Sequence, residues 1–262
     1  MKSHSSRWLA LSLLVLPFLM TSAHAGSINL GTAGGYSVLA GSAVTNTGSS
    51  VLIGDLGVSA GCAVTGFPPG SVSGTINACN AASAQAQRDL TTAYNAAMGM
   101  SATATLTGKN LGGMTLTPGV YFFSSSAQLT GTLTLNNLGN PNAVFVFQIG
   151  STLTTASSSA VIFSGTANDP NVFWQVGSSA TLGTGTKFEG NILALTSITL
   201  NTGASIGCGS ALAINGAVTL DNNSIGGGCG SVKSPVPEPG TIGLLGTGLA
   251  ILVGTIRRKI RI

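Results

Sequence analysis

Apolar and polar residues alternate in short stretches from Ser101 onwards, and one small unit returns along the chain. A Thr-Leu-Thr unit or a close variant occupies residues 105–107, 115–117, 132–134, 152–154, 181–183, 199–201 and 219–221. Successive side chains of a β-strand point to opposite faces. The central leucine of each unit therefore points inward and the flanking threonines point outward, so the pattern predicts many short strands with an apolar inner face.

The spacing of these units favours a β-solenoid. Most neighbouring units start 17 to 29 residues apart, and the stretch 147–151 is echoed 27 residues later at 174–178. Repeats of this length are typical of stacked coils, and such small units bury an apolar face only against their neighbours. A threonine-rich β-sandwich is the alternative, because its strands alternate in the same way. Recurrent glycines, short strands and few aromatic residues favour the solenoid, whose narrow interior accepts aliphatic side chains more readily than rings.

Residues 78–98 depart from this pattern and predict one long helix. The segment is rich in alanine, glutamine and arginine, and its apolar residues recur at helical spacing. They form one stripe that consists of Ala82, Ala86, Leu90, Ala93, Tyr94, Ala97 and Met98. We expect this stripe to pack on the core.

The first 25 residues have the three parts of a signal peptide. Lys2 and Arg7 form a basic start, residues 9–20 form an apolar stretch, and 23–25 form a small-x-small cleavage site before Gly26. A transmembrane anchor is the weaker alternative, because twelve apolar residues are too few to span a bilayer. We therefore expect an exported body over residues 26–230.

The end of the chain has a second targeting pattern. A linker at 231–240 contains Pro237, Glu238 and Pro239, and residues 241–262 combine an apolar run with a basic tail. These three parts, in this order, resemble the PEP-CTERM sorting signal of Gram-negative bacteria. The resemblance implies an exosortase as processing partner and a host that makes extracellular polysaccharide. A plain membrane anchor is the alternative, and under either reading the apolar helix lies in the membrane before any processing.

The distribution of charge and cysteine limits the chemistry of the body. The formal charge of +4 comes from the two ends, and residues 26–234 contain four basic and five acidic residues. Nucleic-acid binding needs clustered lysine and arginine, so it is excluded. Both histidines belong to the signal peptide, and the body therefore lacks a histidine-based catalytic triad. We predict a protein without catalytic residues, cofactor or metal.

Four cysteines in an exported chain predict two disulfides. Four cysteines allow three pairings, and proximity in sequence favours Cys62 with Cys79 and Cys208 with Cys229. Zinc is the alternative, but the chain has no C-x-x-C pair and its predicted body has no histidine.

The outward threonines are the candidate binding residues. Threonine has a hydroxyl and a methyl on a stiff, β-branched stem, and stacked strands place equivalent residues about 4.7–4.9 Å apart. Such a face is a rigid, regular grid, although threonine also simply favours strands. The candidates are Thr132, Thr134, Thr152, Thr154, Thr181, Thr199 and Thr219.

Longer motifs resemble the microbial ice-binding (antifreeze) protein family. They occupy residues 36–40, 44–48, 54–59, 65–70, 84–87, 93–94, 171–183, 188, 190–194, 197–200 and 216–223. The resemblance covers about residues 28–226 and implies a discontinuous, right-handed β-solenoid of triangular section with a long helix along one side. It implies ice binding on one flat face.

The chain departs from the family in one motif. Some members have a Thr-(Ala/Gly)-x-(Thr/Asn) pattern on that face, and the clear match here, residues 107–110, contains Lys109. A structural or adhesive protein of the cell surface or polysaccharide matrix is the alternative function. A carbohydrate-active enzyme is disfavoured because the body has few charged residues.

Overall fold

The computed structural model describes residues 28–164 and 171–226. The predicted signal peptide, the linker with Pro237, Glu238 and Pro239, the apolar helix at 241–262 and Cys229 lie outside the described residues. In the described part of the chain, no helix is both long enough and apolar enough to cross a membrane.

The described residues form short β-strands and one long helix. A 3-10 helix at Gly31–Gly35 comes first, and α1 (Ala81–Met98) follows the seventh strand. The strands are β1 (Tyr36–Ala40), β2 (Ala43–Thr47), β3 (Val51–Ile53), β4 (Asp55–Val58), β5 (Ala63–Thr65), β6 (Ser71–Val72), β7 (Ile76–Ala78), β8 (Ala104–Thr105), β9 (Thr115–Leu116), β10 (Gly119–Phe123), β11 (Ala127–Leu129), β12 (Thr132–Asn136), β13 (Val144–Ile149), β14 (Leu153–Thr155), β15 (Ala160–Ser164), β16 (Asn171–Val176), β17 (Ala180–Leu182), β18 (Lys187–Phe188), β19 (Asn191–Ala194), β20 (Ile198–Leu200), β21 (Ser205–Ile206), β22 (Ala211–Ala213), β23 (Val218–Asp221) and β24 (Ser224–Gly226).

These strands build three parallel sheets around one core. Sheet A has the order β7-β4-β1-β22-β19-β16-β13-β10-β8, sheet B has β11-β14-β17-β20-β23-β2-β5, and sheet C has β6-β3-β24-β21-β18-β15-β12-β9. Consecutive strands such as β13, β14 and β15 enter sheets A, B and C in turn, so a complete coil contributes to all three sides. The architecture confirms a β-solenoid with three sides and excludes the sandwich.

The solenoid is discontinuous in chain order. Strands β1, β2 and β3 pair with β22, β23 and β24, so the first complete coil stacks on the last one. The next coil, which contains β4 to β7, continues this end of the stack. Helix α1 then carries the chain to the opposite end, where β8 begins the remaining coils.

Asn223 fixes the corner between sheets B and C at this junction. Its side chain is buried, and its Nδ2 donates 2.9 Å hydrogen bonds to the carbonyl oxygens of Asn201 and Ala204 in the coil below. Its backbone N–H donates to Ser50 Oγ, 2.9 Å away, in the first coil. One residue therefore connects three successive coils, and the first coil of the chain is distant in sequence from the other two.

The interior contains a stack of aromatic rings that we did not expect from the scarcity of aromatic residues. Tyr121, Phe147 and Trp174 are aligned on β10, β13 and β16. The Phe147 and Trp174 rings are parallel with centroids 3.8 Å apart, and Phe188 lies 4.9 Å beyond Trp174. The expectation of an aliphatic interior is wrong for the part of the solenoid that contains β10, β13 and β16. Its parallel, in-register strands place equivalent rings one above another.

Helix α1 begins at Ala81, three residues later than the predicted start. Asn80 caps it by accepting a 2.9 Å hydrogen bond from the N–H of Ser83, which explains why the helix cannot begin earlier. The buried helix residues are Ser83, Ala86, Leu90, Ala93, Tyr94 and Ala97, whereas the stripe residues Ala82 and Met98 are exposed. The predicted stripe is therefore correct in its centre and wrong at its two ends.

The helix packs on the outer side of sheet A. Its buried residues share a cluster with Leu39, Val146 and Phe173, whose side chains point away from the solenoid interior. Sheet A is thus covered on both sides, as the apolar runs of β1, β13 and β16 require.

Two glutamines explain the echo between residues 147–151 and 174–178. Gln148 and Gln175 are paired in register and buried under the helix. Gln148 Nε2 donates to the carbonyl oxygens of Ala97 and Met100 at 2.8 and 2.7 Å, and Gln175 Nε2 donates to the Tyr94 hydroxyl at 2.8 Å. The repeated motif therefore anchors the carboxyl-terminal half of α1.

One predicted disulfide is confirmed. Cys62 and Cys79 are bonded, with Cα atoms 4.9 Å apart, and they join the start of β5 to the end of β7 in the terminal coil. Cys208 is also disulfide-bonded, and its predicted partner Cys229 lies outside the described residues.

Removing the Cys62–Cys79 disulfide should loosen the terminal coil. The bond closes a loop with a sequence separation of 17, and a loop of this size is stabilised by about 3 kcal/mol in the chain-entropy model. We expect the double variant Cys62→Ala/Cys79→Ala to lose about that free energy of unfolding in denaturant titrations. Hydrogen exchange should show the largest loss of protection in β5 to β7. Loss of protection spread evenly over all coils would contradict a local role.

Candidate functional site

The structure distributes the Thr-Leu units over all three sheets. Thr105 belongs to sheet A, whereas Thr115, Thr132 and Thr134 lie in sheet C. The candidates in sheet B are Thr154, Thr181, Thr199 and Thr219. The recurring unit therefore indicates strand alternation and does not mark one particular sheet. One flat face cannot include all seven candidates.

Sheet B aligns threonines in one continuous row. Thr154 pairs with Thr181, which pairs with Thr199 and then Thr219 in successive coils. The row continues across the junction into the first strands of the chain. We call it the threonine row; it consists of Thr154, Thr181, Thr199, Thr219, Thr45 and Thr65.

The geometry of the row follows from the parallel pairing. Neighbouring strands lie about 4.7–4.9 Å apart, so the hydroxyl and methyl groups recur at that interval along the solenoid axis. At the junction, Thr45 Oγ1 donates to Thr219 Oγ1, 3.4 Å away. The row is therefore continuous across the junction, where the neighbouring strands are far apart in sequence.

A second row of small side chains runs beside it. Thr152 is placed here, two residues before Thr154 and therefore on the same outward side. Its hydroxyl donates a 2.9 Å hydrogen bond to Ser126 Oγ in the adjacent coil. One position before the paired residues of each strand, the same register aligns Ser126, Thr152, Ser179, Ser197, Ala217, Ala43 and Ala63. We call the outward surface formed by the two rows the threonine face.

The threonine face rests on a tightly packed layer. Leu153, Leu182 and Leu200 alternate with the threonines, point inward, and are at most 1% exposed. Because such a core leaves little room for movement, the threonine stems are held rigidly before any ligand arrives.

The row ends in two amides rather than in threonine. Gln128 on β11 pairs with Thr154, and Asn110 forms a bridge with Gln128. The family-like motif at 107–110 therefore extends the row by one position through Asn110. Lys109 is an exposed residue immediately before it.

The other two sheets offer no equivalent surface. Sheet A is covered by α1, and sheet C has Lys187 aligned between Ser205 and Ala160. Thr132 belongs to that same row of sheet C, where it pairs with Ala160. Among the described residues, sheet B alone presents a long row that is neither covered nor interrupted by a charge.

Two members of the row, Thr45 and Thr65, are not among the residues predicted from the sequence. They precede the helix, whereas the repeated Thr-Leu units lie after Ser101. A signal was present, because Ala-Val-Thr occurs at 43–45, 63–65 and 217–219. That tripeptide marks the strands which carry the row on both sides of the junction.

The chemistry of the threonine face is neutral. In the strands of sheet B, the charged residue is Asp221 at the end of β23, where its carboxylate accepts a hydrogen bond from the Thr202 hydroxyl. Burial raises the pKa of Tyr94, a residue of α1 that packs on sheet A, on another side of the solenoid. In the described part, no group of three or more His, Cys, Asp or Glu residues could hold a metal ion.

Sequence comparisons identify relatives over almost the whole chain. The ice-binding-like family matches residues 38–226, and the PEP-CTERM protein-sorting motif matches residues 235–259. An ice-binding protein of Nostoc sp. (strain HG1) is 56% identical over 96% of this chain and 95% of its own length. An ice-binding protein of Leucosporidium sp. (strain AY30) is 34% identical over 81% of this chain and 86% of its own length.

Solved structures have the same fold. An ice-binding protein from an Antarctic biological consortium superposes with a TM-score of 0.74 at 48% identity, covering 80% of this chain and 94% of its own. An ice-binding protein from the Antarctic ascomycete Antarctomyces psychrotrophicus has a TM-score of 0.75 at 42% identity, covering 78% and 99%.

Proposed function

Because this chain belongs to the ice-binding-like family, we propose that it binds ice and that the threonine face is the contact surface. The observation that carries the proposal is the register of sheet B, which aligns six threonines without interruption across the junction between the last and first coils. The relatives named above are ice-binding proteins, and this face is the part of the chain that fits a crystalline ligand best.

The physics of the surface supports this choice. A lattice is met most favourably by groups that already repeat at fixed intervals, because little conformational entropy is lost on contact. The threonine hydroxyls can hydrogen-bond to water molecules, and the methyl groups provide apolar area between them. The absence of charge along the row of described residues leaves no strongly hydrated group to be stripped of its water.

Of the candidates from the sequence, we retain Thr152, Thr154, Thr181, Thr199 and Thr219 and add Thr45 and Thr65. Thr132 and Thr134 lie on sheet C, and Thr132 belongs to the row that contains Lys187. We assign them no part in the contact. The activity requires no catalytic residue, and we propose that the protein is not an enzyme.

We place the activity outside the cell. The match to the sorting motif at residues 235–259 supports export, and the motif Pro237-Glu238-Pro239 is where we expect an exosortase to act. We further propose that the host is a Gram-negative bacterium that holds the protein at its surface or in its exopolysaccharide.

Partition of the purified protein into growing ice tests the function. We expect the protein to be enriched in a slowly grown ice hemisphere, whereas a non-binding protein of similar size is excluded into the liquid. Exclusion of the folded protein from the ice would refute the proposed function and favour the structural or adhesive alternative.

A further inference from the structure

The direction of the chain determines at which corner of the solenoid the strands of each sheet end. In every complete coil the strands enter sheet A, then sheet B, then sheet C, as β13, β14 and β15 do. Each strand of sheet C therefore ends at the corner that sheet C shares with sheet A. In a three-sided section that corner lies opposite sheet B, and thus opposite the threonine face.

The described body ends at this corner. Strand β24 belongs to sheet C, where it lies between β21 and β3, and its last residue Gly226 pairs with Ile53. The sorting motif begins at residue 235, a few residues further along the chain. We call the segment that leads from Gly226 to the sorting motif the tether. It starts from the side of the solenoid that faces away from the threonine row.

A covalent bond reinforces this placement. Cys208 follows the end of β21, so it also lies at the corner between sheets C and A, and it is disulfide-bonded. Its predicted partner, Cys229, comes shortly after Gly226 in the sequence. This pairing would hold the beginning of the tether against the same corner.

We propose that the protein acts while it is retained at the cell surface, with the threonine face directed outward, and that it attaches whole cells to ice. The inference rests on the proposed function of the threonine face. A tether at either corner of sheet B would bring the envelope against the row, whereas the observed corner leaves both surfaces usable at once.

Retention of the protein at the cell surface allows many weak contacts with ice to act together. Many copies on one cell meet the same crystal, so the second and later contacts form at high effective concentration. A freely diffusing molecule binds ice alone, but a cell carrying many copies stays attached unless all contacts break together. The activity of the tethered form is therefore adhesion rather than protection of the surrounding liquid.

The test uses intact cells of the host together with protein released from their envelope. We expect washed cells to be captured by growing ice, and cells whose chromosomal copy carries Thr181→Tyr to be captured on the order of a hundredfold less. As a matched control, cells with Thr132→Tyr on sheet C should be captured as well as the parent. A Glu238→Ala chain, altered in the sorting motif, should lose cell capture without loss of ice affinity in the released protein.

The outcomes separate the two proposals. If the released protein enters ice but the cells do not, or if washed cells hold none of the protein, surface adhesion is wrong and ice binding stands. If the released, folded protein is itself excluded from ice, the proposed function fails and the adhesion inference fails with it.

Discussion

Replacing Thr181 with tyrosine should abolish most of the ice affinity of the protein while leaving its fold intact. Thr181 is the second of the six threonines in the threonine row, between Thr154 and Thr199. A phenol ring at this position projects from the face and separates the neighbouring threonines from a flat crystal. The inward residues Ala180 and Leu182 are unchanged, so the free energy of unfolding should shift by only about 0.5 kcal/mol.

The measurement compares ice-growth inhibition with thermal unfolding for the same preparations. We expect inhibition to fall at least about tenfold, which corresponds to about 1.4 kcal/mol of contact free energy. The matched control is Thr132→Tyr, which places the same ring on sheet C. Full activity of the Thr181→Tyr protein would show that sheet B is not the contact, and loss of activity in the control would point to sheet C.

Replacing Trp174 with alanine should cause the largest loss of stability of any single substitution considered. Trp174 is fully buried, stacks on Phe147 at 3.8 Å, and contacts Phe188. Its Nε1 also donates a 2.9 Å hydrogen bond to the Glu189 carbonyl oxygen. Truncation of a large buried aromatic side chain typically costs about 3–5 kcal/mol, because the cavity collapses only in part.

Denaturant titration of the Trp174→Ala protein measures this loss directly. Phe122→Ala is the control, since Phe122 lies on β10 of the same sheet but is 37% exposed. We expect the control to lose about 1 kcal/mol or less. Equal losses for the two variants would show that the aromatic stack contributes no more than an ordinary surface contact.

The sequence predicted local alternation and the existence of coils, because both depend on neighbouring residues. Leu153, Leu182 and Leu200 point inward as the Thr-Leu units require. The helix was also predictable from its spacing. Its start at Ala81 depends on the Asn80 cap, which overrides the helix propensity of the residues before it.

The composition of the threonine row was not predictable, because it depends on which coils are neighbours. Thr45 and Thr219 contact each other although they are 174 residues apart. Nothing in local alternation distinguishes Thr132 from Thr181, and only the assignment of their strands to sheets C and B separates them. The aromatic stack was missed for the same reason, since the register of β13 and β16 aligns Phe147 with Trp174.

The junction between β1 and β22 has a consequence for the biogenesis of the protein. A polypeptide emerging amino end first exposes β1 long before β22, and contacts between such distant segments form slowly. The strands carrying Thr45 and Thr65 must therefore wait for the last coil before their place in sheet B is fixed. Completion of the binding surface thus coincides with delivery of nearly the whole body, and a nascent chain stalled before β22 presents two unconnected fragments of it.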